Sequence, residues 1–165
     1  MAEYLNAPLE EVVFVPNATT GINTVLRNLR FEKGDIILYS STLYGACEKT
    51  VDYVCETTPA ESMRVELRYP QEDDDVVSQF TNAIRQMKNL SGGSRVKIAI
   101  FDIITSLPGV CVPFERLTEM CRQEGILSLV DGAHALAHIQ LDLGRLRPDF
   151  FVANCHKYVS SHLQL

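Results

Sequence analysis

Residues 126–158 read ILSLVDGAHALAHIQLDLGRLRPDFFVANCHKY. Two short apolar runs, ILSLV and FFVA, each end in polar residues: DGAH after the first and NCHK after the second. Runs of this length, rich in Leu, Val and Phe, predict strands buried on both faces, as in a parallel sheet covered by helices. The strands are expected at ILSLVDG (126–132) and FFVANC (150–155), joined by the connection LDLGRLRPD. In such sheets ligands bind beyond the carboxyl ends of the strands. The polar residues that close each run are therefore the first place to look for chemistry.

The same alternation extends towards the amino terminus. EVVFVP (11–16) predicts a β-branched strand stopped by Pro16, followed by a helix over NATTGINTVLRNLR with Ile22, Val25, Leu26 and Leu29 on its apolar face. Asn17 or Thr19 is the expected cap. After the Gly34-Asp35 turn, DIILYS (35–40) predicts a strand, and YGACEKTVDYVCE a helix burying Ala46, Val51 and Val54. MRVELRYP (63–70) alternates like a strand. DDDVVSQFTNAIRQMKNL (73–90) predicts an amphipathic helix with the stripe Val76, Val77, Phe80, Ile84 and Met87, its acidic start matching the helix dipole. SGGS (91–94) reads as a turn, VKIAIFDI (96–103) as a buried strand, and PFERLTEMCRQEG (113–125) as a helix stopped by Gly125. Strands alternating with helices throughout define an α/β class, a three-layer α/β/α unit with a mostly parallel sheet.

Length and charge narrow the function. The 165 residues suffice for one domain with its own core. A net charge of -6 argues against a nucleic-acid or anionic-membrane surface. No apolar run approaches the roughly 20 residues a bilayer span needs, and MAEYLNAPLEE shows no secretory leader pattern. The five cysteines are odd in number, widely spaced and free of CxxC pairs, which fits reduced thiols in a cytoplasmic setting. Most of them are expected as small apolar core residues.

Several polar clusters fall at the carboxyl edge of the predicted sheet: NATTG, SSTLYG, Thr105-Ser106, DGAH and NCHK. NATTG opens a helix, so its backbone N–H groups and hydroxyls suit a phosphate; a plain capping segment explains it equally simply. DGAH puts the Asp131 carboxylate at a strand end, where a turn is the ordinary reading and a partner for a protonated ring nitrogen the functional one. His134 and His138, with Asp131 or Cys155, also admit a metal site, although no HExxH or paired-cysteine spacing supports it. Lys157 taken alone is a surface charge. At the mouth of a sheet its amine can instead attack a carbonyl and form a Schiff base. A phosphate site, an acid for a pyridine nitrogen and such a lysine together point to pyridoxal phosphate.

The stretch VDGAHALAHIQLDLGRLRPDFFVANCHKY closely resembles the active-site segment of class V aminotransferases, which are fold-type I pyridoxal-phosphate enzymes. The spacing from Asp131 to Lys157, that from Gly109 to Asp131, and the NATTGIN turn all resemble the family pattern, over about residues 11–160. The resemblance implies that Lys157 bears the Schiff base and moves the proton at the substrate α-carbon. It implies that Asp131 bonds the pyridine nitrogen, and that His134 and Ser106 contact the phenolic oxygen. It further implies that Tyr44 stacks on the ring, with Ala18 and Thr19 on one side of the phosphate and Asn154 and His156 on the other. DGAH, LYGA and NxHK resemble the branch with isopenicillin N epimerase-like enzymes and carbon–sulfur lyases acting on cysteine-derived substrates.

The same resemblance implies an amino acid or amine substrate, with amino transfer, epimerisation or C–S cleavage as the reaction, and a homodimer for the full-length parent. Family enzymes carry an amino-terminal segment, a strand after the lysine, and a small carboxyl-terminal domain whose arginine clamps the substrate carboxylate. Arg145 and Arg147 do not match that clamp. Residues 1–165 are thus expected to be a partial cofactor-binding large domain. A truncated, catalytically inactive remnant of such an enzyme is the alternative, and a metal-dependent hydrolase using Asp131, His134 and His138 a further one.

Overall fold

The structure is a computed structural model that describes residues 1–89 and 94–158. Five strands, β1 (Asp35–Ser40), β2 (Glu61–Val65), β3 (Arg95–Asp102), β4 (Leu127–Gly132) and β5 (Phe150–Ala153), form one sheet in the order β2-β1-β3-β4-β5. Every pairing is parallel. The long helices are α2 (Ala18–Asn28), α3 (Gly45–Thr57), α4 (Asp73–Asn89) and α5 (Phe114–Glu124). One-turn helices α1 (Ala2–Leu5), α6 (Leu143–Leu146) and α7 (Cys155–Tyr158) lie outside the sheet.

Side-chain alternation along the strands builds two cores. On β1, Ile36 and Leu38 point to the α4/α5 side, where they join Val76, Phe80, Ile84 and Leu117; Ile37 and Tyr39 join Ile22, Leu26, Val51 and Val54 of α2 and α3. β3 divides in the same way, with Ala99 and Phe101 on one face and Ile98 and Ile100 on the other. This is the three-layer arrangement predicted above, and every buried Leu, Ile or Phe contributes roughly 1.5–3 kcal/mol of transfer free energy. Phe80 and Phe101 meet edge to face, with centroids 6.2 Å apart. Asn17 caps α2 through its side-chain oxygen, which accepts the Thr20 N–H at 2.8 Å. Gly125 ends α5 at φ 67°, a left-handed conformation that glycine adopts without strain.

The departures from expectation have local causes. No strand forms at 11–16: Leu9–Glu11 is a turn of 3-10 helix, and Val13 and Phe14 beyond it are 79% and 78% exposed. Their β-branched and aromatic character favours extension, but a strand needs a partner ladder, and none of the described strands pairs with them. The strand expected at 63–70 runs instead over Glu61–Val65, because only these residues pair with β1. Ala46 is exposed, and Cys47 takes the buried place on α3. Of the five free cysteines only Cys47 and Cys121 are buried, while Cys111 and Cys155 are exposed. The connection 141–149 contains α6, capped by Asp142. Of the turn expected at 91–94, residues 91–93 lie outside the described residues.

The amino-terminal end of the sheet is held by a charge cluster. The Asp35 carboxylate, 1% exposed, accepts hydrogen bonds from Arg95 Nε at 2.7 Å, Lys97 Nζ at 2.8 Å and the Glu32 N–H at 2.9 Å. Burial alone would raise its pKa, but the bonds from Lys97, Glu32 and Arg95 outweigh it and bring the pKa down to about 2. A carboxylate depressed in this way stabilises the fold fully above its unfolded value, and the contribution is lost as pH falls towards 2. Asp35→Asn is expected to cost about 1–2 kcal/mol at neutral pH, discounted because Arg95 is exposed. The loss should shrink in acid, which urea unfolding across a pH series will show.

Candidate active site

Parallel pairing puts the carboxyl ends of all five strands on one edge, and the polar residues singled out in the sequence emerge there. Asp131 closes β4 and is 3% exposed. Its Oδ1 accepts the Ala133 N–H at 2.8 Å, which turns the chain sharply as it leaves the strand. Burial raises the Asp131 pKa above the usual carboxylate range, while the Ala133 N–H and the positive charge of Lys157 pull it back. Lys157 therefore lies within electrostatic reach of Asp131. Its Nζ stands 2.9 Å from His134 Nε2. Burial, then the charges of Lys157 and His138, lower the His134 pKa. The neutral imidazole so favoured can accept a hydrogen bond from the lysine.

Asn154 connects this cluster to α2. It is 6% exposed, follows β5, and its Oδ1 accepts the Ala18 N–H at 2.8 Å. The helix comes this close because residue 21 is glycine: a Cβ there would lie 2.8 Å from Val152 Cγ1 on β5. Cys47 is 1% exposed, and burial, followed by the negative charge of Asp131, pushes its thiol up to about 12. It is a packing group at working pH, not a thiolate.

The structure thus joins Ala18 to Asn154 and Lys157 to His134, with Lys157 in electrostatic reach of Asp131. Ser106 is half-buried in the loop after β3, and Tyr44 is 51% exposed at the start of α3; each lies at the same edge. His156 is exposed on α7. Among the described residues no group of three His, Cys, Asp or Glu side chains is placed to hold a metal ion, so the metal-dependent reading of Asp131, His134 and His138 has no ligand set. Residues 133–138 are turns, so the two histidines do not share a helical face.

One neighbour of the site escaped the sequence reading. Asp102, at the end of β3, stands directly opposite Asp131 in the parallel register and is 4% exposed. Its signal was available: a carboxylate closing the otherwise apolar run IAIF. Burial and the neighbouring Asp131 raise its pKa well above the usual range.

The fold and this edge define a class, and comparison with known proteins agrees with it. The chain belongs to the aminotransferase class-V family, whose model matches residues 1–162. It is 42% identical to an L-cysteine desulfhydrase-like protein of Epichloe uncinata, over 96% of this chain and 35% of that protein. It is 28% identical to isopenicillin N epimerase of Amycolatopsis lactamdurans, over 96% of this chain and 39% of that one. Its fold matches that of the cystine C-S lyase C-DES in complex with cysteine persulfide, with a TM-score of 0.84 at 22% identity over 96% of this chain and 41% of the lyase. Another structure of that lyase holds glycine covalently linked to its PLP cofactor. The chain spans between about a third and two fifths of the length of these proteins.

The bond between Ala18 and Asn154 yields a direct expectation. Asn154→Ala strands the buried Ala18 N–H and should cost about 1–2 kcal/mol in urea unfolding. Asn154→Asp keeps an acceptor at that place and should recover most of the loss.

Proposed function

We propose that this chain is the cofactor-carrying part of a pyridoxal-phosphate-dependent enzyme that acts on an amino acid. The observation that carries the reading is the contact of Lys157 with His134 in electrostatic reach of buried Asp131, at the carboxyl edge of the sheet. The residues present fit the cofactor. A carboxylate at the end of a buried strand suits a pyridine nitrogen, and a lysine amine at the open mouth suits an aldehyde carbon. When bound, pyridoxal phosphate supplies an electron sink for a carbanion at the substrate α-carbon.

The chain's own residues take definite parts in this reading. Asp131 would hold a protonated ring nitrogen by ionic hydrogen bonding, from a strand rigid enough to keep the carboxylate in place. Lys157 Nζ would be the amine that holds the cofactor aldehyde, and it is the base assigned to the substrate α-proton. His134 Nε2 lies 2.9 Å from that amine, and His134 and Ser106 would contact the phenolic oxygen. Tyr44, half exposed at the edge, provides the face on which the ring stacks. Thr19 and His156 bracket the phosphate. Ala18 and Asn154 are already bonded to one another, and their part is to hold the two phosphate elements together.

The relatives support carbon–sulfur cleavage of a cysteine-derived substrate as the reaction of the whole protein, ahead of amino transfer or epimerisation. The Epichloe protein is named for a desulfhydrase, and C-DES is a cystine C-S lyase. The whole protein is assigned as a cytoplasmic homodimer. Among the described residues no helix is long and apolar enough to cross a membrane.

Adding pyridoxal phosphate to the purified chain, and in parallel to a longer version carrying the segments its relatives have, tests the reading. A visible absorption band is expected, and borohydride should fix it on Lys157, as peptide mapping will show. Lys157→Ala should abolish the band, and Asp131→Asn should weaken binding tenfold or more, about 1.4 kcal/mol. A band in the longer version alone would identify the shorter chain as an inactive remnant. No band in either would remove the cofactor assignment. Sulfide and pyruvate released from cysteine by the longer version would identify the reaction, and racemised or transaminated product would replace it.

A further inference from the structure

Two carboxyl groups lie side by side at the ends of β3 and β4. Asp102 and Asp131 are register partners, and both side chains leave the sheet on the α2/α3 face, one position beyond Phe101 and Val130 on the other face. Both are almost fully buried, at 4% and 3% exposure. Their surroundings are unequal. Asp131 has the Ala133 N–H on Oδ1 and Lys157 within electrostatic reach. Asp102 forms no ion pair among the described residues, and its buried Oδ2 meets no hydrogen-bond partner. Its own backbone N–H offsets only part of the cost of burying the carboxylate, and a second negative charge beside it adds to that cost. Two such neighbours on paired strands favour a single negative charge between them, with the proton on the less supported carboxyl.

We propose that Asp102 is a positioning residue that keeps this proton, so the pair presents a single negative charge, located on Asp131, to the ring nitrogen of the cofactor. The assignment rests on the pyridoxal-phosphate reading only for its final clause; the proton itself is a property of the chain without cofactor. The titratable groups facing Asp102 agree with it. Asp131 lies on β4, and the Cys47 thiol of α3 and the Tyr69 phenol beyond β2 feel the charge of Asp102; burial raises both, so both stay neutral and neither supplies a cation. The consequence for function is charge matching. One carboxylate against one protonated nitrogen is neutral overall, whereas two carboxylates would leave an uncompensated charge in a dry site.

Infrared spectroscopy of the folded chain without cofactor reads the proton directly. A protonated carboxylic acid has a carbonyl stretch separate from that of a carboxylate. The chain at neutral pH should show such a band, and Asp102→Asn should remove it while Asp131→Asn keeps it. In Asp131→Asn the neighbouring charge is gone, so the band's pH midpoint should fall; a carboxyl with a merely structural role would titrate unchanged. The melting temperature of Asp102→Asn relative to the unsubstituted chain should rise steadily as pH increases from about 4, because a raised carboxyl loses stabilisation over that range. Absence of the band at neutral pH, or its persistence in Asp102→Asn, would overturn the proposal. So would a midpoint that ignores Asp131. A band present in a chain that never develops visible absorption with pyridoxal phosphate would retain the proton assignment and remove the cofactor reading instead.

Discussion

Parallel pairing of β4 between β3 and β5 is the constraint on which the rest of the structure depends. It sets Asp102 beside Asp131, Asp131 beside Val152, and Gly132 beside Ala153. In a parallel sheet every strand leaves at the same edge, so residues far apart in the chain become neighbours there. Helices on both faces then remove water from those strand ends. The first consequence is geometric, because a carboxylate on a central strand is held rigidly. The second is electrostatic, because every polar group drawn into that edge must find a partner or change its protonation.

The two ends of the sheet handle buried carboxylates in opposite ways. At the amino-terminal end Asp35 has three donors, two of them cationic, and its pKa falls to about 2. At the carboxyl-terminal end Asp102 has its own backbone N–H and Asp131 has that of Ala133, neither donor is cationic, and both pKa values rise. Residue type and burial are the same at the two ends. The difference lies in partners: the first arrangement locks loop and strands together, and the second leaves capacity for a group from outside. Under-satisfied buried carboxyls are what a ligand site requires and what a structural cluster avoids.

Much of this was legible from residues alone. DIILYS matched its strand to the residue, because Gly34 and a continuous apolar run left no other reading. Asn17, Gly125 and the 76/80/84/87 stripe carried their positions through capping chemistry and period. What failed was information held by other parts of the fold. Residues 12–15 have strand composition, but pairing is a property of two segments, and no described strand lies beside them in a ladder. Ala46 and Cys47 are adjacent small residues, and only the angle at which α3 meets the sheet decides which is buried. That Asp131 and Lys157 fall at one edge of the sheet was readable from the strand pattern and from resemblance to a known one. Asp102 was not, because its meaning comes from the register of β3 against β4, which no local pattern records.

The two key side chains of the site differ in burial, and the difference follows from where each is attached. Asp131 is within a strand flanked on both sides, so its position is set by backbone hydrogen bonds and by packing of Leu129 and Val130 in the two cores. Lys157 is on the one-turn helix α7 after an edge strand, exposed apart from its contact with His134. A group that must hold one proton at a constant place belongs on the rigid element. Under the proposed reading, an amine that takes up and releases a group would use the rotamer freedom that a long side chain has at an exposed position. Asn154 lies between these extremes, buried and bonded to α2, and the chain turns from fixed strand to open edge at that residue.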